Sequence, residues 1–61
     1  MHDLATDLIK QVRETLNATS EMSDQDLKRY IETLVFDQAQ AYALTANRMK
    51  GLIERIYNAF R

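Results

Sequence analysis

An all-α fold, a small three-helix bundle, is what this sequence predicts, and three observations predict it. Apolar residues recur at spacings of three and four in three separate stretches, two of those stretches open on a hydroxyl residue suited to cap a helix, and the 61 residues include no proline and one glycine. Nothing alternates with period two for long, which disfavours a sheet, and a hydrophobic content of 46% disfavours a disordered chain. A domain of this size buries only about 60% of its unfolded surface and supplies no more than ~5 kcal/mol of net stability, so residues 1–61 are expected to form one domain without a deep catalytic cleft.

In the first stretch Leu4, Ala5, Leu8, Ile9, Val12 and Leu16 fall in one stripe, while Asp3, Asp7, Lys10, Glu14 and Asn17 line the other side. This predicts a helix over 4–16, with Asp3 as its cap and the two aspartates near the positive end of its dipole. The second helix, 24–40, has the plainest start: Ser23 as N-cap, Asp26 at N3, and Met22 placed to staple onto Leu27. Its stripe is Leu27, Tyr30, Ile31, Leu34 and Val35, with Gln38 and Tyr42 as candidate extensions, and Asp24 and Lys28 form a favourably oriented i,i+4 pair. Phe36 lies about 160° from the centre of that stripe, beside Ala39 and Ala43, so helix two is apolar on two sides. The third helix, 46–60, starts at Thr45 with Leu44 stapling to Met49, although Arg48 at N3 is a poor neighbour for the positive end of a dipole. Its stripe is Met49, Leu52, Ile53, Ile56, Tyr57 and Phe60, and it runs to Arg61 without a stop signal, as if the chain were the amino-terminal fragment of a longer protein.

The net charge of −1 conceals an asymmetry, because residues 1–37 carry eight acids and four bases and residues 38–61 one acid and four bases. The halves should attract each other, and the overall balance argues against a nucleic-acid-binding domain, which would be strongly basic. With no cysteine there is neither a disulfide nor a thiolate zinc site. The apolar runs Leu34–Phe36 and Ala41–Leu44 are far shorter than the ~20 residues that span a bilayer, so no membrane insertion is expected. His2, Asp3 and Asp7 lack a second spaced pair of ligands, so no metal site is assigned. The pairs Asp3/Asp7, Asp24/Lys28 and Lys50/Glu54 sit at the edges of the stripes with no nucleophile facing them, and no glycine-rich loop precedes a lysine to cradle phosphate. No catalytic or cofactor-binding residue is assigned within the chain.

What remains are contact residues. Arg48 and Arg55 share one flank of helix three, with Lys50 on the other, and suit either charge matching inside the domain or an acidic protein surface. Phe36, with Ala39 beside it, is covered by helix one or three, or else contacts another domain. Gly51 sits on the face opposite the third stripe, where it is either a tolerated exposed glycine or part of a small-residue groove for a further helix. Phe36, Ala39, Arg48 and Arg55 are the candidate protein contact.

Glu21-Met22-Ser23-Asp24-Gln25-Asp26-Leu27, the hydrophobics Ile31, Leu34 and Val35, the Leu44-Thr45 start and the run Arg48 to Arg61 resemble the amino-terminal helical region of type II/IV secretion ATPases of the tight-adherence pilus kind. The resemblance covers nearly the whole chain and is one of pattern and register; the Walker motifs of that family have no counterpart here. It implies a hexameric parent that binds ATP and Mg elsewhere, powers pilus assembly or secretion at the cytoplasmic face of the inner membrane, and uses this piece as a non-catalytic adaptor. Its partners would be the remainder of the parent chain or other protein subunits. The residues equally suit a free-standing helical protein, including a homo-oligomer, that binds another protein or a nucleic acid.

Overall fold

The computed structural model describes residues 3–18 and 22–60. They form three helices, α1 (Leu4–Ala18), α2 (Asp24–Tyr42) and α3 (Ala46–Asn58), with no strand among the described residues. Each starts where its sequence offers a side-chain oxygen to the free amides of the first turn. The Ala5 amide donates to Asp3 Oδ1 (3.1 Å), the Asp26 amide to Ser23 Oγ (3.1 Å) and the Arg48 amide to Thr45 Oγ1 (3.2 Å).

The carboxyl ends differ from expectation by two residues each. α1 runs to Ala18 instead of 16, and α2 to Tyr42 instead of 40. Ala43 then enters the left-handed region (φ 52°, ψ 49°), and the amides of Ala43 and Leu44 both donate to the Ala39 carbonyl, a termination that usually recruits glycine. α3 stops at 58 instead of 60 because the Ala59 and Phe60 amides bond three residues back, to Ile56 and Tyr57, tightening the last turn.

Among the described residues, Ala5, Leu8 and Val12 of α1, Leu27, Ile31, Leu34 and Val35 of α2, and Ile56 of α3 are buried. Around them Leu4, Ile9, Leu16, Met22, Tyr30, Met49, Leu52, Ile53, Tyr57 and Phe60 are half-buried against that centre. α3, whose stripe reads most cleanly in sequence, thus buries one side chain completely, since three short helices cannot surround all of its apolar face. α2 and α3 make the closer pair, and the Tyr57 hydroxyl near the end of α3 donates to the Asp24 carboxylate at the start of α2, so the two run antiparallel. The expected Asp24–Lys28 ion pair is not formed, Asp24 taking the tyrosine instead. Thr15 and Tyr30 share a 2.8 Å hydrogen bond between α1 and α2, and Arg13 lies 5.8 Å above the Phe60 ring. Among the described residues no helix is long and apolar enough to cross a membrane.

Candidate protein-contact grooves

The four candidate contact residues do not gather into one face. Phe36 and the two arginines border different grooves, on opposite flanks of α3, and Ala39 borders neither. Ala39 is half-buried, and its carbonyl is the one that holds the end of α2.

Phe36 is not covered by helix one or three. It is 56% exposed, on the wall of an open groove of about 420 Å³ between α2 and α3. Because Lys28, Glu32 and Phe36 follow one another at four-residue spacing, they form a single ridge on α2. Ala46, Met49 and Ile53 line the groove from α3, and Lys50 and Glu54 complete its rim. Met49 and Ile53 belong in sequence to the core stripe of α3, yet here they are half-buried and serve core and groove at once. The signal that could have located this groove is the Lys28–Glu32–Phe36 spacing, which sets the exposed ring on the same ridge as two charges.

The second groove, about 480 Å³, lies on the other flank of α3 and runs between Arg48, Gly51, Leu52 and Arg55 on one side and Asp3, Leu4 and Leu44 on the other. Arg55 is held inside the domain by an ion pair, its guanidinium donating to Asp3 Oδ2 at 3.0 Å. The Thr6 hydroxyl, the Ala5 amide and the Arg55 charge together hold the Asp3 carboxyl below its ordinary value, the Thr6 bond contributing most, against an opposing loss of hydration. Arg48 is exposed at the amino end of α3, where its own charge opposes the helix dipole. Gly51 faces open space: a methyl group there would meet nothing within 4 Å, so no neighbouring helix presses on it.

Among the described residues no cluster of three acidic, histidine or cysteine side chains could hold a metal, and His2 lies outside them. Asp3 is occupied as helix cap and ion-pair partner. Comparison of the chain with protein-family models, with curated proteins and with solved structures returns no match.

Proposed function

We propose that this chain is a small helical protein-docking module with no chemistry of its own. The observation that carries the reading is Phe36. A large aromatic side chain stands 56% exposed beside half-buried Met49 and Ile53, although burying such a ring is worth roughly 1.5–3 kcal/mol to any surface that covers it. Apolar anchors surrounded by charged side chains are the composition of protein interfaces, where aromatic residues are among the few that carry much of the binding energy. The substitution Phe36→Ala tests this. It should lower the unfolding free energy of the chain by no more than about 1 kcal/mol, because more than half of the residue is exposed, while weakening association with a protein partner. A loss of 3 kcal/mol or more would make Phe36 a core residue and end the reading.

The resemblance to the amino-terminal region of secretion ATPases supplies one setting for such a module, as an adaptor between a motor and its neighbours. A reading frame that continues past Arg61 into a glycine-rich loop followed by Lys and Ser or Thr would support that setting, and a stop codon there would exclude it.

A further inference from the structure

We infer that the partner of the Phe36 groove is a second copy of this chain, paired about a two-fold axis. This rests on the docking reading and adds the identity of the occupant. The argument is in the charges around the groove. Lys28 and Glu32 lie one turn apart on the α2 wall, and Lys50 and Glu54 one turn apart on the α3 wall, so the rim carries two charges of each sign. No ion pair engages any of the four among the described residues. Within each helix the lysine precedes the glutamate, the less favourable order for an i,i+4 pair, and Asp24, the better-placed partner of Lys28, is taken by Tyr57.

A two-fold interface brings a surface against itself, residue i meeting j and j meeting i, so a face of one sign repels its own copy. This face alternates instead. When α2 lies antiparallel to α2 of a second copy, with the axis crossing between Lys28 and Glu32, each lysine faces the glutamate of the other copy, and each such contact occurs twice. The same operation applied to the α3 wall matches Lys50 with Glu54. A basic or acidic partner would meet two repulsive charges for every two attractive ones, whereas a second copy meets attraction at all four positions. An interface of standard size needs about 800 Å² from each chain, roughly a sixth of the 4681 Å² this chain exposes.

Sedimentation over a concentration series tests the pairing, on the chain itself and on two double variants checked for helix content by circular dichroism. Lys28→Glu with Lys50→Glu makes the rim wholly acidic, and Glu32→Lys with Glu54→Lys makes it wholly basic. The original chain should pass from monomer to dimer as concentration rises. Each variant alone should associate at least about tenfold more weakly, and an equimolar mixture of the two should recover a heterodimer. A chain that remains monomeric up to about 1 mM, or an acidic variant that dimerises as well as the original, overturns the pairing. If the chain is monomeric and Phe36→Ala still weakens assembly with another protein, the second copy is excluded and the docking role survives. If Phe36→Ala changes neither, both fail.

Discussion

Ala43 and Gly51 each occupy a position that the other residue type would fill better. Ala43 sits at φ 52°, a left-handed conformation in which its Cβ is strained, while Gly51 stands inside α3 facing open space and contributes only its excess backbone entropy. Exchanging them should therefore help twice: Ala43→Gly and Gly51→Ala are each expected to stabilise the chain by about 0.5–1 kcal/mol, additively, as read from urea midpoints. A loss at position 51 would mean that something packs there, and a loss at position 43 that α2 ends differently. The same pair explains why the end of α2 could not be read from sequence, since the residue that turns the chain out of the helix is an alanine. Phe36 was half legible in the same sense: its helical phase placed it off the core stripe, but whether another helix covered it depended on how three short helices lean together.

The helix starts were readable and the helix ends were not, for a physical reason. A start is decided by one oxygen within reach of a free amide, which Asp3, Ser23 and Thr45 supply locally, whereas these ends follow from backbone turns that no side chain announces. α3 shows how far a stripe can mislead. Its apolar periodicity is the cleanest of the three, yet Ile56 is the only buried residue it gives the core, and Met49 and Ile53 face partly outward. Ile56 should accordingly carry much of the attachment of α3. Replacing it with alanine is expected to cost about 2–5 kcal/mol, comparable with the total stability of a domain this small, so that cooperative thermal unfolding is lost or shifted far down. A midpoint close to that of the original chain would mean that the half-buried residues of α3 hold it without Ile56. The groove was not legible at this scale because it belongs to no single helix: Lys28 and Glu32 meet Lys50 and Glu54 only once α2 and α3 are packed.

Across the whole molecule, the opposite charges of the two halves of the chain meet at Asp3 and Arg55, which join the start of α1 to α3. Both side chains are exposed, so salt should weaken the pair. Its pH dependence has a definite sign. The Asp3 carboxyl is held below its ordinary value of 3.8 in the folded chain, so its contribution is complete above that value and disappears as pH falls through the lower folded value. Asp3→Asn should thus lower the melting temperature at pH 7, by a margin that shrinks as the pH falls below 3.8 and the carboxyl takes up its proton. Equal melting temperatures at pH 7 would show that the charge of Asp3 does not contribute. The hydroxyls that bridge the helices have a further, optical consequence. The chain contains no tryptophan, and of its three tyrosines Tyr30 joins α1 to α2, Tyr57 joins α3 to α2, and Tyr42 is 62% exposed with no packing role. A tyrosine hydrogen-bonded to a carboxylate emits weakly and brightens when released, so Tyr57 gives the α2–α3 contact its own fluorescence signal. With Tyr42 as an internal reference and each phenol replaceable by phenylalanine in turn, the chain carries an intrinsic reporter of the opening of α2 and α3.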